Sequence, residues 1–137
     1  MTLYLDTSVI VKLYIREDDS DEVMAAVADA NLVATSLLAY PEACAAFERR
    51  RRDKSVTPAA LKAARKAFEA DWPSWIAVGI DADLAAHSAR LAEKHGLRAA
   101  DAIHLAAFER ILATSDDDDV RFLCADDRLS KAAGSLG

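Results

Sequence analysis

Four short apolar runs separated by helical patterns constrain this chain more than any other feature. Residues 2–6, 32–35, 76–80 and 120–125 have the length and apolar density of buried strands, and helix signals lie between them. This alternation predicts an α/β fold with a mainly parallel central sheet. Ligand sites in such folds lie off the carboxyl ends of the strands. The 137 residues are 53% hydrophobic, although thirty of them are alanine. That length suits one core, and no linker rich in glycine, proline or serine divides it, so residues 1–137 are expected to form a single domain.

The helix boundaries follow from capping chemistry. Ser8 is read as the cap of a helix reaching about Ile15, and the acidic residues Asp18, Asp19 and Asp21 open a second that runs to Asn31. Ser36 is read as the cap of a long pattern ending near Lys54. Pro41 either starts the main part of that helix or kinks it, because proline lacks an amide hydrogen and restricts the residue before it. Thr57 and Pro58 open a helix that stops near Trp72 and Pro73, and Asp81 caps one that stops at Gly96. Another covers 99–113, and the last runs from Asp126 to Gly134.

Several function classes drop out. Lys12 interrupts the apolar stretch 9–15, so it is no secretory signal, and no run approaches the roughly 20 apolar residues that span a bilayer. A soluble, cytoplasmic protein without membrane attachment is expected. Cys44 and Cys124 lie far apart in apolar runs and read as buried thiols. His87, His95 and His104 have neither metal-ligand spacing nor cysteine partners, which argues against zinc. The aspartate run 116–119 lacks the glycine and terminal glutamate of a calcium loop and reads as solvated. Trp72 and Trp75 read as core residues.

The acidic residues are more informative. Asp6 closes the first strand, Glu42 follows the second after a short connection, and Asp126 follows the fourth directly. A parallel sheet brings these three to one edge. Carboxylates gathered there repel one another and resist ionisation unless a cation is present, and Mg²⁺ or Mn²⁺ suits such oxygen ligands. Asp101, in the first turn of the helix over 99–113, is a fourth candidate. Spacing does not place it at that edge: the preceding helix must tilt, or its connection must return. Taken singly, Asp101 and Asp126 read equally well as helix-start residues.

Together, four segments are more specific. Leu5-Asp6-Thr7-Ser8-Val9-Ile10-Val11-Lys12, Thr35-Ser36-Leu37-Leu38-Ala39-Tyr40-Pro41-Glu42, Leu97-Arg98-Ala99-Ala100-Asp101-Ala102-Ile103-His104 and Phe122-Leu123-Cys124-Ala125-Asp126-Asp127 resemble the PIN-domain ribonucleases. The likeness is greatest to the VapC toxins of bacterial toxin–antitoxin pairs, and it covers essentially the whole chain. The resemblance implies a three-layer α/β/α sandwich in which Asp6, Glu42, Asp101 and Asp126 form an acidic pocket, supported by a hydrogen bond from Ser8. It also implies that the helix carrying Asp101 points its start into that pocket. The implied activity is Mg²⁺-dependent hydrolysis of RNA, with Mn²⁺ as an alternative ion. Asp6 and Asp101 are then the metal ligands, Glu42 orients or deprotonates the attacking water, and Asp126 completes the shell. Implied partners are RNA, a cognate antitoxin and a second copy in a homodimer. One position departs: Cys124 stands where the family has a hydroxyl residue, which leaves Asp127 or Asp119 as substitutes for Asp126.

Two other readings are weaker. A receiver domain wants paired acids near the first strand and a lysine after the last, and an aspartyl-phosphate phosphatase wants an Asp where Ser8 stands. A PIN-like RNA-binding module without catalysis is disfavoured by the presence of all four acids. The net charge of −6 argues, in bulk, against attraction to nucleic acid. The window 49–66 reverses this locally, with eight basic residues against Asp53 alone. Helical residues step by about 100°, so at most a pair such as Arg49 and Arg52 shares a face, and these two are the candidate nucleic-acid contacts.

Overall fold

β1 (Thr2–Leu5) is buried at every residue and lies inside the sheet, between two parallel neighbours. The computed structural model describes residues 1–135, except the side chains of Asp127 and Arg128. After β1 come α1 (Thr7–Tyr14), α2 (Ser20–Asp29), β2 (Leu32–Ser36), α3 (Ala39–Arg52) and α4 (Pro58–Asp71). A 3-10 turn (Trp72–Ser74) leads to β3 (Ile76–Val78), followed by α5 (Ala82–His95), α6 (Ala99–Thr114), β4 (Val120–Leu123) and α7 (Asp127–Gly134). The sheet is fully parallel in the order β3-β2-β1-β4.

Alternation along β1 builds the three layers. Leu3 and Leu5 enter a core formed with α1 to α4, whereas Tyr4 enters a second core formed with α5 to α7. The fold is therefore the expected three-layer α/β/α sandwich. Trp72 and Trp75 are half-buried and pack against the first core, centred on Phe68. Cys44 and Cys124 are only partly buried, short of the full burial expected from their apolar surroundings. Strands β3 and β4 each stop two residues before the apolar runs that announce them.

Two caps differ from expectation. Asp6, not Ser8, caps α1: its Oδ1 accepts from Val9 N at 3.2 Å, and Ser8, inside the helix, donates to the same oxygen at 2.8 Å. Asp6 has the extended backbone a cap requires, and its carboxylate accepts both bonds. Ser36 ends β2, and its Oγ closes a turn by accepting from Leu38 N at 3.1 Å; α3 then starts at Ala39 with no side-chain cap. Pro41 sits in the first helical turn, where amides lack intrahelical partners, so its missing hydrogen costs nothing there. Thr57 and Asp81 cap α4 and α5 as expected.

The aspartate run 116–119 is partly engaged. Asp117 accepts from Thr2 Oγ1 and lies 3.1 Å from the amino group of Met1, and Asp119 is paired with Arg121.

The position of α6 is settled by a hairpin. Asp81, at the start of α5, pairs with Arg110 near the end of α6 at 3.1 Å, and His87 pairs with Glu109. The two helices are thus antiparallel. The connection 79–81 returns the chain before α5 begins, and α6 starts at the edge where β1 ends. Gly96 closes α5 at φ 65°, in the left-handed region that penalises a side chain. Open space surrounds the position of a Cβ there. Gly96→Ala is expected to lose about 1–2 kcal/mol of stability from backbone conformation alone, measured by urea unfolding.

Candidate active site

The carboxyl end of β1, one face of α1, the face of α3 from Glu42 to Arg50 and the start of α6 enclose an open pocket of about 540 Å³. Three of the four acids proposed from sequence line it: Asp6, Glu42 and Asp101, together with Ser8. Each is placed by its element. Asp6 is delivered by the end of a central strand, Glu42 by the first turn of α3, and Asp101 by the first turn of α6.

Asp6 is 5% exposed. Burial raises its carboxyl above the ordinary value; the Ser8 hydrogen bond and the Val9 amide oppose this, and the neighbouring Asp101 adds to it. Glu42 shifts the other way. Burial pushes it up, but hydrogen bonds from His104 and Thr7, with the charge of Arg98, more than offset that and hold it below its usual range. The pocket thus contains a buried acid that lacks a full counter-charge beside one that is stabilised as a carboxylate.

The Asp6 shift has a consequence for stability. Its folded value lies above the unfolded one, so the native state keeps the proton to higher pH, and this contribution is lost as pH rises from about 3.9 through the folded value. Asp6→Asn keeps the cap and removes the charge. In metal-free protein the variant is expected to melt above wild type at neutral pH, with the gap closing below pH 4. An unchanged difference across that range, measured by thermal scans, contradicts this account.

The sequence reading missed His104 and Thr7 beside Glu42, and Arg98 at the pocket mouth. His104, 2% exposed, lies one helical turn beyond Asp101; its Nε2 is 3.0 Å from Glu42 Oε1 and its Nδ1 is 2.8 Å from the Tyr4 hydroxyl. Thr7 Oγ1 donates to the same Glu42 oxygen at 2.6 Å. The available signal was the three-residue step from Asp101 to His104, which puts both on one helix face. Arg98 Nε lies 3.2 Å from Asp101 Oδ2, and its side chain is 83% exposed at the pocket mouth.

The remaining candidates separate. Asp126 caps α7 by accepting from Leu129 N at 2.8 Å, is exposed and lies off the pocket wall, although its charge reaches Arg98. Cys124 donates to the Asp126 carbonyl at 3.3 Å, and burial pushes its thiol up to about 11. Asp119 sits where β4 begins, at the opposite edge of the sheet from Asp6, and so cannot substitute for Asp126. The Asp127 side chain lies outside the described residues. Arg49 lines the pocket and Arg52 does not; Arg52 pairs instead with Glu48 at 3.4 Å. Arg50 and Lys12 complete the cationic wall, and both pair with Glu17.

Among the described residues, no three His, Cys, Asp or Glu side chains converge closely enough to hold an ion by themselves. The donor set still fits Mg²⁺, which keeps several waters and takes one or two carboxylates. Asp6 and Asp101 are the pocket carboxylates that could supply these, and Asp6 is the buried acid whose charge a cation would offset.

Comparison with known proteins gives consistent results. The family model for the PIN domain matches residues 3–134. Ribonuclease VapC45 of Mycobacterium tuberculosis (strain CDC 1551 / Oshkosh) is 35% identical over 105 residues, covering 77% of this chain and 73% of that protein. Ribonuclease VapC49 of Mycobacterium tuberculosis (strain ATCC 25618 / H37Rv) matches with the same identity and coverage.

Proposed function

The chain belongs to the PIN-domain family, and from that premise we propose that it acts as a VapC-type toxin, an endoribonuclease that hydrolyses RNA phosphodiester bonds with a divalent metal. The observation that carries the site assignment is the convergence of Asp6, Glu42 and Asp101 on one pocket beneath a rim of arginines. Asp6 and Asp101 would hold Mg²⁺, or Mn²⁺ in its place. When bound, the ion neutralises phosphate charge and lowers the pKa of a coordinated water.

The chain's own groups do the rest. Glu42 Oε1 is occupied by Thr7 and His104, which leaves Oε2 to orient the attacking water and take its proton. Glu42 is suited to this because its surroundings keep it ionised. Ser8 holds the Asp6 carboxylate in register. Arg49 and Arg98 offer guanidinium groups to the RNA backbone from opposite elements of the rim. Asp126 acts from the margin, through its charge on Arg98.

No helix among the described residues is long and apolar enough to cross a membrane. We place the protein in the cytoplasm as a single-domain homodimer restrained by a cognate antitoxin. Incubating it with total RNA and Mg²⁺ and mapping the new ends tests the activity: cleavage abolished by EDTA is expected, and its absence overturns the reading. Phosphorylation of Asp6 by a small phosphodonor points instead to a receiver- or phosphatase-like protein. Arg49→Ala is expected to weaken RNA binding and lower the slope of log affinity against log salt by about 0.7, the value for one lost single-strand phosphate contact. Arg52→Ala, remote from the pocket, should change the slope less.

A further inference from the structure

His104 is buried, with the Glu42 carboxylate at one ring nitrogen and an uncharged hydroxyl at the other. Its two nitrogens have different neighbours. Nε2 faces the Glu42 carboxylate at 3.0 Å, and a carboxylate only accepts, so Nε2 must carry a hydrogen. In the neutral ring Nδ1 is then an acceptor, and the Tyr4 hydroxyl, 2.8 Å away and fully buried in β1, is its donor. Tyr4 further packs edge-on to the imidazole, with ring centroids 5.9 Å apart. Thr7 completes the set, donating to Glu42 Oε1 from the start of α1 and lying 3.0 Å from Nε2.

Resting on the ribonuclease reading, we propose that His104 is a positioning residue: fixed by Tyr4 as the Nε2–H tautomer, it locks the Glu42 carboxylate across three elements of the site, β1, α3 and α6. The physical reason is rotational freedom. A glutamate in the first turn of a helix has three side-chain torsions, and without a fixed donor its carboxylate samples orientations in which Oε2 does not meet the water. A single tautomer defines one donor direction. Tyr4 selects it from inside the sheet, out of reach of solvent. This is the arrangement by which partners outside the reacting shell orient the groups within it.

The experiment has two arms. Nitrogen-15 spectra of histidine-labelled, metal-free wild type should show His104 protonated at Nε2 and accepting at Nδ1. With Mg²⁺ and a mixed-sequence single-stranded oligoribonucleotide, His104→Leu should lower kcat roughly 10–100-fold at unchanged KM. His104→Gln, whose amide can donate in place of Nε2–H, should regain most of the loss. Tyr4→Phe keeps the buried ring and removes only the donor to Nδ1, so it should fold, mix the tautomers and lower kcat. The proposal is overturned by an Nδ1–H tautomer in an active enzyme, by wild-type kcat in folded His104→Leu or Tyr4→Phe, or by a Gln variant as slow as Leu at equal thermal stability. Wild type inert toward RNA overturns the ribonuclease reading itself, and the tautomer spectrum then still reports whether His104 donates to Glu42.

Discussion

Asp101→Asn is expected to lower RNA cleavage in Mg²⁺ by about 10³-fold, and Asp6→Asn by a similar factor. Metal-assisted stabilisation of phosphoryl charge contributes several kcal/mol, and each 1.36 kcal/mol is tenfold in rate. Asparagine is close in shape to aspartate, preserves the α1 cap at position 6 and supplies no anionic ligand. The losses should therefore appear without unfolding. They should also be far from additive, because both residues serve one ion and the second substitution removes little that the first has left. Single-turnover cleavage of a labelled RNA, with circular dichroism to verify the fold, measures both. Wild-type rates in either variant would falsify the assignment of the pocket.

Phe68→Ala is expected to destabilise the protein by about 3–5 kcal/mol, a large part of the total stability of a domain this size. Phe68 is fully buried in α4 and sits within 6.1 Å, centroid to centroid, of Tyr14, Tyr40, Phe47, Trp72 and Trp75. Those rings come from α1, α3, the 3-10 turn and the residue before β3, so the substitution leaves a cavity at the junction of several elements. The effect should reach the site, since α1 carries Ser8 and α3 carries Glu42 and Arg49. Ile76→Ala, at a position 41% exposed on an edge strand, is the control and should change stability far less. Urea titrations followed by tryptophan fluorescence separate the two. Equal losses would show that the aromatic cluster is not the joint described.

Much of the fold was legible because its signals are local. Thr57-Pro58, Asp81 and Gly96 mark helix ends through bonds and torsions within a few residues of themselves, and the structure uses them as expected. The Asp6 assignment rested on a strand end, which a parallel sheet carries to one edge whatever the helix packing. Ser8 and Ser36 misled for a related reason. Several polar residues competed for each helix start, and the choice among them depended on backbone angles that composition does not encode.

The sequence by itself determined the alternation of strand and helix, the parallel sheet with its carboxyl edge, and the acids Asp6 and Glu42 beside it; these follow from periodicity, capping and chain direction. Only the tertiary structure decided how Asp101 joins them, because that required the chain to return before α5 and pack it antiparallel to α6. It alone brought Tyr4, Glu42 and His104 into contact across separations of up to 100 residues, chose Arg49 over Arg52, and left Asp126 at the margin. Such contacts are fixed by the mutual packing of whole elements against both faces of the sheet, which no local pattern specifies.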